Sequence, residues 1–325
     1  MMVNGLWQMG QTDFAVTHYG LRIVAPIENT GIDRDALDRY IEEQIYTLPG
    51  TDRHREEFSI VLTGSRAIGW HGCGSDVDLD ILCPRPVYQS VHQACFEAGI
   101  INSPTAFWYS VKGDDWQRYF GPKQVIRPHF SLIPLDVIQR QFTEYDDVAL
   151  WIWTTAQIVA DPSRQFQAIR ETFQGYPRDV LIRKIKYRWL LAWYMGIEGC
   201  PRGTGLLAAV SELLKLFFLV EGKPYPYPKS LIRLAPETEL GKEFCPMLER
   251  VVDLVIGKAE PQLTPEERIS LAYHYLGCED GGEESQRLEE LCARAMIEAG
   301  VDPNWVKADY GNLDELLSGS LGPPP

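Results

Sequence analysis

Polar and apolar residues alternate strictly along residues 76–81. The β-forming residues Val77 and Leu79 separate Asp76, Asp78 and Asp80, and a third, Ile81, follows them. Successive side chains of a strand point to opposite faces, so this period of two predicts a strand with all three carboxylates on one face. The preceding apolar run, residues 58–63, is rich in β-formers and predicts a second strand. The two strands are expected to form one hairpin.

The segment between these strands begins with Gly64 and Ser65. Glycine lets the backbone turn sharply, and the N–H groups of such a turn can hold a phosphate. Aligned carboxylates repel each other unless a cation neutralises them, and hard oxygen ligands of this kind suit Mg²⁺. A phosphate turn followed by a metal-binding strand is the order that nucleotidyl transfer requires, because metal ions bridge the phosphates to the attacking hydroxyl.

Three other interpretations compete for this segment. A calcium-binding EF-hand loop needs polar residues or glycine between its ligands and a glutamate at its twelfth position, where this chain has Val87. A dinucleotide-binding fingerprint would lead into a helix, whereas Gly69, Gly72 and Gly74 lead into the predicted strand. The third interpretation, a solvated edge strand that carries three acids, remains open.

The segments Leu-Thr-Gly-Ser-Arg-Ala at 62–67 and Ser-Asp-Val-Asp-Leu at 75–79 together resemble the signature of the DNA polymerase β-like nucleotidyltransferase superfamily. The resemblance is strongest to its minimal and antibiotic-modifying members, and it is limited to these two segments. It implies that Asp76 and Asp78 are catalytic carboxylates that bind the metal ion. It also implies a mixed-sheet nucleotidyltransferase domain.

The same resemblance assigns the triphosphate of the nucleotide to the turn. It implies that the backbone of Gly64 and the side chain of Ser65 hold the phosphates, with help from Arg66. Asp80 has no counterpart in the family pattern. The substitution of Asp80 is therefore expected to have a milder effect on activity than that of Asp78.

Members of the superfamily usually carry a third carboxylate on a later strand. The corresponding run, residues 125–134, contains no acid, and His129 and Ser131 alternate on the face where that carboxylate is expected. His129 is therefore a candidate for the base that deprotonates the acceptor hydroxyl, or for a ligand near the metal, since imidazole can do either at neutral pH. An ordinary half-buried histidine is the alternative interpretation.

Helical and strand patterns alternate up to residue 161, which predicts an α+β fold with a mixed sheet. We place a domain boundary near this point, so that residues 1–161 form the nucleotidyltransferase domain and residues 162–310 an all-helical domain. Residues 311–325 lack apolar periodicity and are predicted to be disordered. The predicted helices of the second domain cover residues 180–196, 204–220, 246–258, 265–276 and 284–299.

Polar residues form a stripe on the otherwise apolar helix 204–220, and Glu212 and Lys215 belong to this stripe. The family resemblance implies that a helical domain can supply phosphate-binding lysines. Lys215 and Lys229 are therefore candidate nucleotide-binding residues. A solvated stripe and a solvated loop lysine remain the alternative interpretations.

The amino-acid composition favours some classes of binding partner and disfavours others. The net charge of −14 disfavours a nucleic-acid track, because binding to a phosphate backbone depends on clustered Lys and Arg. An acidic surface instead favours a small cationic acceptor. No apolar run reaches the length of a membrane span, and the N-terminus lacks a signal-peptide core, so we expect a cytoplasmic protein without a membrane partner.

These patterns predict a Mg²⁺-dependent nucleotidyltransferase. It would transfer the nucleoside monophosphate of an NTP, with ATP as the expected donor, to a hydroxyl of a small-molecule acceptor and release pyrophosphate. Two alternatives remain. One is a non-catalytic nucleotide-binding or antitoxin-like regulator, which would explain the missing third carboxylate. The other is an enzyme that nucleotidylates a protein or a tRNA.

Overall fold

A computed structural model describes most of the chain. The described residues are 15–16, 22–23, 31–69, 75–110, 117–120, 128–194, 204–244 and 282–306. The chain divides into two compact units, residues 1–174 and residues 175–325. The domain limits that the sequence predicts, 1–161 and 162–310, remain predictions.

The first unit contains strands and helices. Its strands are β1 Ala15–Val16, β2 Arg22–Ile23, β3 Ser59–Thr63, β4 Val77–Cys83, β5 Phe107–Ser110, β6 Pro128–Pro134 and β7 Gln157–Ala160. Its helices are α1 Arg34–Tyr40, α2 Gly64–Ala67, α3 Arg85–Glu97, α4 Gln117–Phe120, α5 Leu135–Thr143, α6 Asp147–Thr155 and α7 Gln165–Glu171. A π-helical turn, Ile41–Ile45, continues α1, and a 3-10 helix, Asp52–Glu57, precedes β3.

The main sheet has five strands in the order β5-β6-β4-β3-β7, and β1 and β2 form a separate antiparallel pair. Strands β3 and β4 are antiparallel, with Thr63 opposite Asp78. Strands β4 and β6 are parallel, with Asp78 beside His129. Strand β5 runs antiparallel to β6 at the edge of the sheet. The predicted hairpin and the predicted mixed sheet are both confirmed.

One face of this sheet forms the hydrophobic core of the first unit. Leu62, Leu79 and Phe130, from three neighbouring strands, are almost completely buried on this face. Helices α1 and α3 cover it with residues such as Leu37 and Val91. Burial of these apolar side chains stabilises the sheet and fixes its register, because a shift by one residue would turn them to the other face. The aspartates between them must then point away from the core.

The described elements of the second unit are all helical. They are α8 Arg178–Tyr194, α9 Thr204–Val220, α10 Pro228–Leu234, the 3-10 turn Ala235–Glu237, the helical residues 239–244, α11 Gly282–Glu298 and α12 Pro303–Val306. The predicted α+β fold, with a mixed sheet followed by a helical region, is therefore confirmed. The predicted helices 246–258 and 265–276 and the predicted disordered tail 311–325 lie outside the described residues.

Among the described residues, no helix has both the length and the apolar character that crossing a membrane requires.

Candidate active site

Three aspartates occupy increasing depths on the face of the sheet opposite the core. Asp76 is exposed and directly precedes β4. Asp78 is partly buried, with 34% of its side chain exposed. Asp80 lies deeper, where two side-chain hydroxyls surround it. The carboxylates that can meet a ligand from solution are therefore those of Asp76 and Asp78.

Asp80 is held inside the protein by its neighbours. Its carboxylate accepts a hydrogen bond of 2.9 Å from the Oγ1 of Thr63 and another from the Oγ of Ser131. Burial raises the pKa of Asp80, and the two hydrogen bonds oppose this rise. A buried carboxylate needs such partners, so Asp80 links β3, β4 and β6 beneath the other two aspartates.

His129 is hydrogen-bonded to Asp78 through its Nε2 and the Oδ1 of the carboxylate. This bond is the main cause that raises the pKa of His129 above the ordinary histidine value, and the charges of Asp76 and Asp80 contribute in the same direction. The hydrogen bond lets His129 orient the carboxylate of Asp78, and the role of His129 as a base stays a prediction.

The turn after β3 lies directly against Asp78. Gly64 has φ +71°, a left-handed conformation that glycine adopts without strain. A Cβ at this position would overlap the Oδ2 of Asp78. The neighbouring Ser65 is half-buried, and its hydroxyl has no hydrogen-bond partner among the described residues. The structure thus brings the predicted phosphate turn and the predicted metal ligand together.

Arg66 points into the protein, and only 2% of it is exposed. Its Nε and Nη2 donate hydrogen bonds of 3.1–3.3 Å to the carbonyl oxygens of Ser75 and Asp76. Burial lowers the pKa of Arg66, while the charges of Asp76 and Asp78 oppose this change. These contacts indicate that Arg66 positions the segment that carries Asp76. Its predicted contact with the triphosphate remains a prediction.

The variant Arg66→Lys distinguishes the two possible roles of Arg66, which are positioning of Asp76 and contact with the triphosphate. Lysine keeps the positive charge but lacks the planar set of donors that reaches two carbonyl groups, so we expect Asp76 to be misplaced. The kcat of nucleotide transfer should fall about tenfold, equivalent to roughly 1.4 kcal/mol, while the KM for ATP changes little. Steady-state kinetics with ATP and Mg²⁺ provide the measurement. A higher KM for ATP with an unchanged kcat would instead support the triphosphate contact.

The two predicted lysines of the helical region belong to the second unit. Lys215 donates to Glu212 across 2.5 Å, and Arg188 donates to the other oxygen of the same carboxylate at 2.7 Å. Glu212 is 7% exposed, so two cations share one buried carboxylate. Lys229 lies in α10, and its side chain is outside the described part of the structure. The nucleotide-binding role of both lysines stays a prediction.

One residue near the carboxylates was missed by the sequence analysis. Trp108 lies on the edge strand β5, opposite Ser131 of β6, and 61% of it is exposed. Its ring centroid is 5.5 Å from that of His129. The signal was present in the sequence as three consecutive aromatic residues, Phe107 to Tyr109, which favour a strand. The position of Trp108 beside the carboxylates depends on the pairing of β5 with β6, which this local pattern does not specify.

The donor set fits a magnesium ion that arrives with phosphates. Within the described ranges, no three His, Cys, Asp or Glu side chains are grouped as a metal site. Mg²⁺ does not need such a group, because one or two carboxylates usually bind it together with water and substrate phosphates. Asp78 provides such a carboxylate against the predicted phosphate turn, and the exposed Asp76 lies two residues before it.

Comparisons with known proteins give little further information. No protein-family model matches this chain, and no curated protein matches it. A solved structure of a nucleotidyltransferase-like protein from Exiguobacterium sibiricum is similar over 82% of this chain and 77% of its own, with 12% sequence identity and a TM-score of 0.36. Similarity this distant supports no conclusion about activity.

Proposed function

We propose that this protein is a cytoplasmic, Mg²⁺-dependent nucleotidyltransferase. It transfers the AMP of ATP to a hydroxyl of a small-molecule acceptor and releases pyrophosphate. One observation carries the proposal: the carboxylate of Asp78 lies against the left-handed turn at Gly64, at the point where β3 ends. Nucleotidyl transfer needs a metal ligand and a phosphate-binding turn at this close separation.

In this proposal each residue of the site has a defined role. The Gly64–Ser65 turn binds the β- and γ-phosphates through backbone N–H groups and the Ser65 hydroxyl. Asp76 and Asp78 would hold Mg²⁺. When bound, the ion supplies positive charge that neutralises the phosphates and orients the attacking oxygen. His129 fixes the orientation of Asp78 through their hydrogen bond.

The acceptor is a small molecule. The net charge of −14 opposes binding to a polyanion such as a nucleic acid and favours neutral or cationic molecules. The exposed carboxylate of Asp76 adds a local negative charge at the site. A hydroxyl attached to a cationic molecule would therefore be attracted to it.

Label transfer tests this proposal. The protein is incubated with ATP labelled at the α-phosphate, Mg²⁺ and one of three acceptors: kanamycin, tyramine or aminohexanol. We expect transfer of label to an acceptor with equal release of pyrophosphate, and loss of both after chelation of Mg²⁺. The variant Asp136→Asn is a suitable control, because Asp136 is an exposed carboxylate paired with Arg85.

Substitution of Ser65 by alanine should weaken the binding of ATP. The hydroxyl is predicted to donate to a charged phosphate oxygen, and loss of such a bond costs about 1–2 kcal/mol. Isothermal calorimetry with ATP and Mg²⁺ measures the change. Ser90→Ala on α3 serves as the control, and we expect it to bind ATP as the parent does. An unchanged dissociation constant for Ser65→Ala would place the phosphates elsewhere.

A non-catalytic regulator is the second candidate, and the contact of His129 favours it. The strand expected to provide a third carboxylate provides His129 instead, and its Nε2 is already bonded to Asp78. A regulator would bind ATP and Mg²⁺ at the same turn without transferring label to any acceptor. Binding by calorimetry together with an absence of pyrophosphate release would support this candidate.

A further inference from the structure

Trp108 exposes an aromatic surface at the candidate active site. The described residues include two exposed large hydrophobic side chains, Trp108 at 61% and Phe96 at 40%. Phe96 belongs to α3, which packs on the core face of the sheet. Trp108 pairs with Ser131, whose hydroxyl bonds Asp80, and so Trp108 lies on the carboxylate face. A single exposed tryptophan is unremarkable on most surfaces, but this one borders the proposed reaction centre.

Contact with His129 leaves most of this ring uncovered. The two ring centroids are 5.5 Å apart, and the planes are tilted by 45°. The indole therefore keeps a broad apolar face that is open to solvent. Indole faces stack against flat partners such as aromatic rings and sugar rings.

The order of the side chains across the sheet assigns the nucleotide and the acceptor to different sides of Asp78. The turn at Gly64 contacts one side of Asp78, and His129 contacts the same carboxylate through its other oxygen. Trp108 follows on the far side of His129. In phosphoryl transfer the attacking oxygen and the leaving oxygen are roughly in line on opposite sides of the phosphorus. With pyrophosphate at the turn, the acceptor approaches from the side of Trp108.

We infer that Trp108 is the surface on which the acceptor stacks, and that the acceptor carries an aromatic or sugar ring. This inference rests on the proposed nucleotidyl transfer, because the in-line geometry assigns the acceptor to this side. Trp108 binds the ring, and the adjacent carboxylates attract a cationic substituent on it. Trp108 thus selects ring-bearing acceptors over open-chain ones.

Fluorine NMR tests the inference without requiring catalysis. The protein is labelled with fluorotryptophan, and the Trp108 resonance is assigned as the signal that disappears in Trp108→Phe. A non-hydrolysable ATP analogue and Mg²⁺ are added first, followed by kanamycin, tyramine or aminohexanol. We expect kanamycin and tyramine to shift the Trp108 resonance saturably. Aminohexanol, which has a hydroxyl and an ammonium group but no ring, should leave it nearly unchanged.

Two results would overturn the inference. A Trp108 resonance that shifts with the nucleotide and not with kanamycin or tyramine would assign the ring to the nucleobase. A resonance that responds to no added molecule would show that Trp108 binds neither substrate. The label-transfer experiment is separate from both results, so a protein that transfers nothing can still reveal whether Trp108 binds the ring-bearing probes.

Steady-state kinetics of label transfer to the acceptor give an independent measurement. In Trp108→Ala, the KM for the acceptor should rise about tenfold, the scale of a lost stacking contact, while the KM for ATP stays constant. Trp108→Phe retains a flat ring and should keep most of the acceptor affinity. Phe96→Ala removes an exposed ring from the other side of the sheet and should behave as the parent. A rise in the KM for ATP alone would contradict the inference.

Discussion

Replacement of Asp78 by asparagine is expected to abolish nucleotidyl transfer while the chain stays folded. The substitution removes one of the two charges that would hold Mg²⁺, and a metal ion contributes several kcal/mol to the transition state. Transfer should therefore fall by about 10²-fold or more. The amide oxygen of asparagine can still accept the hydrogen bond from His129, so the packing of β4 against β6 should survive.

Label transfer and circular dichroism together measure this result. Asp76→Asn should give a similar loss, since Asp76 is the other proposed metal ligand. The control Asp136→Asn removes an exposed carboxylate on α5 and should retain activity, because exposed ion pairs contribute little to stability. An Asp78→Asn variant with activity within about tenfold of the parent, a change of roughly 1.4 kcal/mol, would contradict the metal-site assignment.

Replacement of Gly64 by alanine should reduce transfer nearly as severely. Alanine at φ +71° costs about 1–2 kcal/mol of conformational strain. Its Cβ would also overlap the Oδ2 of Asp78, so the turn and the carboxylate must move apart. We expect transfer to fall by about 10²-fold, because a displacement of reacting groups by about 1 Å typically lowers a rate by this factor.

Gly69 offers a matched control for this substitution. It has the same φ of +71°, but a Cβ there would have no atom of the described residues within 4 Å. Gly69→Ala therefore carries the backbone cost without the collision. We expect both variants to lose conformational stability in urea denaturation, with the larger loss for Gly64→Ala, and only Gly64→Ala to lose transfer. Equal activity of the two variants would show that the closeness of Gly64 to Asp78 is not needed.

Local sequence patterns predicted the hairpin half of the site. The alternation at residues 76–81 specifies a strand, and burial of its apolar positions leaves the aspartates on the opposite face. The apolar run before Gly64 specifies the partner strand. Both elements are short in sequence and close together, so propensity and periodicity contain most of the information about them.

Side-chain direction could not be predicted in the same way. Arg66 follows the phosphate turn in the sequence, yet its guanidinium group turns inward to two backbone carbonyl oxygens. Lys215 lies on a polar stripe, yet it shares a buried carboxylate with Arg188. The contact of Trp108 with His129 depends on the pairing of β5 with β6. Tertiary packing determines the positions of all three side chains, and no local sequence pattern encodes that packing.

The parallel pairing of β4 and β6 has a consequence for how the protein folds. The hairpin that brings Thr63 beside Asp78 closes a short loop, whereas the hydrogen bond of His129 to Asp78 joins residues 51 positions apart. Longer loops cost more entropy to close, and non-local pairings slow folding. We therefore expect the β3–β4 hairpin to form early on the folding pathway and the pairing of β4 with β6 to form late.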